Sequence, residues 1–176
     1  VDHDRIVRRT FREGVAVSLQ RPIGSDHQLA RLLQIGVVLE EVVEARADKH
    51  AQVTAADLDD EVVALFEHAA EESAEHRDRL EALIDELDAE TVPFDEIKRL
   101  VEAQYEADDD FDGVLYDQLC NEETAYKFYD DLIGAIAASN TEFSIDRNRL
   151  VDTLQSIRDE EADGVEEVTR LMEARE

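Results

Sequence analysis

Residues 29–47 read LARLLQIGVVLEEVVEARA. Advancing about 100° per residue places Leu29, Leu32, Leu33, Gly36, Leu39, Val43 and Ala47 on one stripe, the pattern of an amphipathic helix packed against a core. Glu40 falls in the middle of that stripe, whereas its neighbour Glu41 points well away. A carboxylate on the buried face of a long helix poses two questions. One is what the helix packs against, and the other is what compensates the charge.

Working outward, the rest of the chain shows the same helical period and no sustained alternation of the kind strands require. Proline occurs only at 22 and 93. Ser25 followed by Gln28 makes a capping-box start for helix A, expected over about 26–50. Thr54 is the expected cap of helix B, about 55–87, and Ser144 that of helix D, about 145–174. Helix C is expected over about 110–138, after a connection, DAETVPFD through ADDDFD, that carries a short helix of its own to about 105. An N-terminal helical segment, about 3–19, carries Ile6, Val7, Phe11, Val15 and Leu19 among arginines. Four helices of this length, at ~1.5 Å per residue, suit a four-helix bundle in a single domain spanning 1–176. Residues 1–24 form the N-terminal segment and 25–176 the bundle. Short A–B and C–D loops make antiparallel pairs, and the long B–C connection acts as one crossover, giving an up-down-down-up order.

Charge limits the partners. Of 176 residues, 46 are acidic and 18 basic, for a formal net charge of −28. Such a field repels nucleic acid and anionic membrane surfaces, so neither is expected as a partner. Lysine is confined to 49, 98 and 127. Abundant Asp and Glu with few Lys and many Ala and Val resembles the proteins of salt-loving archaea. Cys120 is the single cysteine, which excludes an intrachain disulfide or a CxxC metal knuckle. No apolar run approaches the ~20 residues of a membrane span, and VDHDRIVRRTFREG lacks a signal-peptide core, so the cytoplasm is the expected location.

The two halves of the bundle overlay. A shift of about 82 carries Leu32, Leu33, Val43 and Ala47 onto Val114, Leu115, Ala125 and Tyr129, and Glu40 onto Glu122. A shift of about 88 carries Val62, Phe66, Ala69, Leu80, Leu83 and Ile84 onto Leu150, Leu154, Ile157, Val168, Leu171 and Met172. The same shift carries Ser73 onto Glu161 and His76 onto Gly164. The shifts align apolar residues by choice, but the coincidence of Glu40 with Glu122 is not imposed by it.

The apolar stripe is Val62, Phe66, Ala69, Leu80, Leu83 and Leu87 in B, Phe111, Val114, Leu115, Ala125, Tyr129, Leu132, Ile133 and Ile136 in C, and Leu150, Leu154, Ile157, Val168 and Leu171 in D. In each helix the stripe is interrupted near its centre: by Glu40 in A, Ser73 and His76 in B, Glu122 in C, and Glu161 and Gly164 in D. Three carboxylates and an imidazole thus converge on one layer. An isolated buried carboxylate costs several kcal/mol unless it is paired, protonated or bound to a cation. A divalent ion, Fe, Mn or Zn, accepts both carboxylate oxygen and imidazole nitrogen. Readings with Glu41, Glu72 or Glu160 as ligands remain open, each beside a favoured residue. The metal-free alternative is a polar network with His76 protonated between carboxylates and Arg46 or Arg158 adding counter-charge.

Glu40, His76, Glu122 and Glu161, with NEETAYKFYDDL and IRDEEADGVEEV around the last two, make residues 26–176 resemble the ferritin-like superfamily, especially its rubrerythrin-type di-iron carboxylate branch. In that family helices A and C each supply a Glu, and helices B and D each supply Glu-x-x-His. The resemblance implies Glu40, His76, Glu122 and Glu161 as metal ligands, with Fe as the expected metal and Mn or Zn possible. Two slots depart from the pattern: Ser73 replaces a Glu, and Gly164 replaces a His. Glu40, His76 and a bridging Glu161 are then left to hold one ion with Glu122 nearby. Asp163 is a substitute ligand if helix D is read as Glu160-x-x-Asp163.

The implied chemistry is of oxidoreductase type: iron oxidation, peroxide removal or metal handling. Tyr129 or Tyr126 is a candidate redox or hydrogen-bonding neighbour, with plain packing the favoured role for both. No rubredoxin-like cysteine module is present. His3, His27, His50 and His68 read as surface or flanking residues, and Cys120 as lying off the core stripe. A homodimer is the expected assembly, with the N-terminal helix as candidate interface. The competing reading is a metal-free ferritin-like bundle serving as a structural, stress or interaction module.

Overall fold

The computed structural model describes residues 23–56, 59–91, 93, 95, 99 and 113–176. The expected N-terminal helix, Phe111 and all of the expected crossover helix through about 105 except positions near its start, where Asp95 and Arg99 are helical, lie outside these residues. The described residues form four helices and no strand: α1 (Asp26–Ala55), α2 (Asp60–Asp85), α3 (Val114–Ala138) and α4 (Arg147–Glu173). One half of the repeat, that of helices B and D, reappears in the boundaries. Carried forward by 88 positions, α2 lands on 148–173, almost the span of α4.

Helix ends follow side-chain chemistry, and two expected caps are corrected. Ser25 does cap α1, its Oγ accepting from the Gln28 backbone N–H at 3.2 Å. Gln28 reaches back one residue further than a standard capping box, accepting from the Gly24 N–H at 2.6 Å. Thr54 is not the cap of α2: α1 continues through it to Ala55, and Thr54 is buried. The carboxylate of Asp59 caps α2 instead, accepting from the Val62 N–H. Likewise Asp146, not Ser144, caps α4, accepting from the Arg149 N–H at 2.9 Å. An aspartate accepts with full charge at the positive end of the helix dipole, where a hydroxyl offers only a dipole.

Ser144 joins chain ends. Its N–H donates to Asp26 at 3.1 Å, and its Oγ accepts from the Asp88 N–H at 2.9 Å. Ser139 and Thr141, just after α3, donate to the Ile23 carbonyl. The start of α1, the end of α2, the end of α3 and the start of α4 therefore meet at one end of the bundle. At the other end Arg175, after α4, pairs with Asp59 before α2, and Arg46 of α1 pairs with Asp117 of α3.

The core is split. One cluster gathers Leu29, Leu33, Leu80, Tyr129, Leu132, Leu150 and Leu154 with their neighbours. A smaller one gathers Ala47, Val62, Phe66, Val168 and Leu171. Gly36 lets the helices close on the first cluster, because a Cβ there would lie 3.1 Å from both Leu80 and Phe128. The expected stripes of α1, α2 and α4 are buried as read. In α3 the stripe holds from Ala125 onward, with Phe128 added. Its first turns differ: Val114 and Leu115 are only half-buried, and Asp117, Gln118 and Asn121 take the inward positions. A buried polar layer at mid-height separates the two apolar clusters.

Candidate metal centre

Each of the four helices brings one member of the layer inward. Glu40 of α1, His76 of α2, Glu122 of α3 and Glu161 of α4 are 0, 1, 5 and 2 % exposed. Donor atoms of Glu40, His76 and Glu161 all lie within 4.8 Å of one another. Nδ1 of His76 sits 3.0 Å from Glu161 Oε1 and 3.3 Å from Glu40 Oε1. Tyr129, fully buried, donates its hydroxyl to Glu40 Oε1 at 2.5 Å. The other oxygen of Glu40, Oε2, is buried and has no hydrogen-bond partner.

Glu122 enters through a gap in α4. A Cβ on Gly164 would fall 2.6 Å from the Glu122 carboxylate. Gly164 is thus the residue that makes room for Glu122. Gln118, one turn earlier on α3, donates Nε2 to Glu122 Oε1 at 2.8 Å. Ser73, the other departure, is buried on the same face of α2 as His76.

The electrostatics follow from burial and crowding. Desolvation, then the charges of Glu40 and Glu122, push the Glu161 carboxyl well above the usual carboxylate range. Burial works against a charged His76, but the carboxylates of Glu40 and Glu160 outweigh it and raise its pKa. Burial also raises the Tyr129 phenol, reinforced by Glu40. Without a cation, a raised acid and a raised imidazole both favour a cluster that retains protons.

The neighbours once open as ligands separate cleanly. Glu41 is half-buried and pairs with Arg77. Asp163 is exposed and is not part of the inner group. Glu72 is half-buried, and its carboxyl is raised by desolvation. Glu160 bonds the outer nitrogen of His76 rather than joining the inner group. Tyr126 is exposed, and Cys120 is half-buried on α3. His27 and His68 are exposed as expected, and His3 lies outside the described residues.

Arg46 and Arg158 are both engaged with other carboxylates, and the expectation for His50 is overturned. Nη1 of Arg46 donates to Asp117 at 2.9 Å. Arg158 pairs with Asp130 and Asp159 near the surface. His50 is not a flanking residue: it is 0 % exposed, with Nε2 2.7 Å from Asp117 Oδ2 and its ring against Phe66. Asn121 donates to the same carboxylate at 3.3 Å. This second buried polar cluster went unread because its carboxylate sits where the period suggested Val114 and Leu115 should point inward. The available signal was the i, i+4 pairing of Asp117 with Asn121 and of Gln118 with Glu122, which marks one polar face at the start of α3.

No protein-family model, curated protein or solved structure matches the chain. The donor set itself fits a divalent ion. The group of Glu40, His76 and Glu161 offers one imidazole nitrogen and carboxylate oxygens from two helices, and one of those oxygens, on Glu40, is buried without a partner.

Proposed function

We propose that this chain is a ferritin-like metalloprotein in which Glu40, His76 and Glu161, with Glu122 as a fourth donor, hold a single divalent transition-metal ion. The observation that carries the reading is the unpartnered, fully buried Glu40 Oε2 beside His76 and Glu161. A buried carboxylate oxygen with no donor is costly, and a cation supplies what the protein does not. The meeting of helix ends supports an up-down-down-up order with one long crossover. Bound iron would supply redox chemistry for iron oxidation or peroxide removal; Mn or Zn would suit metal handling. The chain's own residues would hold the ion, exclude water and anchor Glu40 through Tyr129. The acidic composition suits a salt-rich cytoplasm, and among the described residues no helix is long and apolar enough to cross a membrane. A homodimer is the assembly this reading carries with it.

A second reading is favoured by Ser73 and Gly164, which leave two family ligand positions without donors. It is a metal-free bundle acting as a structural or interaction module, its carboxylates sharing protons with His76. Elemental analysis of protein purified without chelator separates the two. The metalloprotein reading expects about one Fe or Mn per chain, lost in His76→Ala. A well-folded protein that is metal-free and takes up neither Fe(II) nor Mn(II) anaerobically would leave only the second.

A further inference from the structure

The two nitrogens of His76 face different worlds. Nδ1 points to Glu161 and Glu40, while Nε2 donates to Glu160 Oε2 at 2.7 Å. Glu160 and Glu161 are consecutive on α4, so about 100° of helix rotation sets one carboxylate at the rim and the other inside. The Glu160 side chain is 37 % exposed and that of Glu161 3 %. Glu160 is itself held. Arg79, one turn past His76 on α2, donates Nη2 to Glu160 and Nη1 to Ser156 at 3.3 Å. The chain of contacts closes on itself: His76 to Glu160, Glu160 to Arg79, and Arg79 back to α2.

A half-turn of the imidazole about its Cβ–Cγ bond would exchange Nδ1 with a ring carbon and leave the inner carboxylates facing C–H. The bond to Glu160 favours the other pose. Which imidazole nitrogen can ligate is set by the hydrogen bond the other makes. We infer that Glu160, clamped by Arg79, is the positioning residue that aims Nδ1 of His76 at the buried carboxylates and thereby sets how tightly the centre holds a divalent ion. The inference rests on the metalloprotein reading and adds to it a rim ion pair that controls a buried site.

The test is an anaerobic Co(II) titration followed by visible absorption on the full chain, for wild type, Glu160→Ala, Glu160→Gln and Arg79→Ala. It is joined by ring 15N NMR of the Zn(II)-loaded wild type and by thermal unfolding of every variant. Glu160→Ala should weaken Co(II) binding about 10- to 100-fold, the usual cost of losing such an outer partner. Glu160→Gln, which keeps an acceptor, should recover most of that loss, and Arg79→Ala should fall between wild type and Glu160→Ala. NMR should show Nδ1 as the metal-bound nitrogen and Nε2 protonated, with unfolding still cooperative throughout. Equal Co(II) affinity in wild type and Glu160→Ala overturns the inference, as does a metal-bound Nε2 or a Glu160→Gln no better than Glu160→Ala. A wild type that binds no Co(II) is a different result: it removes the metalloprotein reading itself.

Discussion

Glu161 is fully buried between two other carboxylates, and that position has a measurable pH signature. Its folded pKa is raised above the ordinary 4.5, and that of His76 above the ordinary 6.5. In both cases the metal-free folded state binds protons more tightly than the unfolded chain. The contribution of these two groups to stability is therefore greatest at low pH and declines as pH rises, first above 4.5 for Glu161 and then above 6.5 for His76. Glu160, whose carboxyl is lowered by Arg79 and His76 against its own burial, acts in the opposite sense, but that gain is already in place above 4.5. Glu161→Gln keeps the shape and removes the titration. Denaturation midpoints measured in chelator should fall less between pH 5 and 8 for this variant than for wild type, while its metal affinity drops. A pH profile unchanged by the substitution would mean that Glu161 is not the buried acid described here. At this scale the sequence was informative: Glu40, His76, Glu122 and Glu161 stand out because each interrupts an apolar stripe. Asp117 and His50 do not stand out, because each is a polar residue near a helix end, where exposed polar residues are ordinary. Their partnership joins residues 67 positions apart and has no local signature.

Among the elements, α3 and α4 show how a missing side chain is used. Gly164 could be read only as a vacancy, since a period predicts which face a residue occupies and not what its neighbour needs. Packed, the vacancy receives Glu122. Gly164→Ala sets two effects against each other. Alanine gains about 1 kcal/mol of helix propensity, and the 2.6 Å overlap costs about 1–3 kcal/mol of displaced packing. The net destabilisation should be small, about 0–2 kcal/mol by urea titration, because Glu122 can swing aside. Its carboxylate then leaves the layer, so metal affinity should fall far more than stability. An affinity equal to wild type would place Glu122 outside the donor set. Helix existence was legible along the whole described chain, from the 3.6-residue period. Two of the start signals were misread because Thr54 and Ser144 are acceptable caps by type, and the choice of Asp59 and Asp146 depends on where neighbouring helix ends deliver Arg175 and Asp26.

For the whole molecule, charge and core act in opposite directions. A formal charge of −28 on 176 residues repels itself, and the Debye length grows from about 3 Å at 1 M salt to about 30 Å at 0.01 M. Dilution from molar to millimolar salt should lower the unfolding temperature steadily, and a chain adapted to high salt should unfold at the low end. A melting temperature constant across that range would count against such adaptation. The polar layer that divides the two apolar clusters has one more effect, on assembly. Apolar surfaces tolerate sliding: a helix shifted by one turn, about 5.4 Å, still meets leucines with leucines. A layer built from one polar residue per helix does not, since the same shift would set Glu40 against hydrocarbon and strip His76 of its acceptors. The four inward polar residues, together with the Arg46–His50–Asp117–Asn121 cluster between α1 and α3, therefore act as alignment marks cut into rods whose apolar faces alone would slip, and they admit a single register.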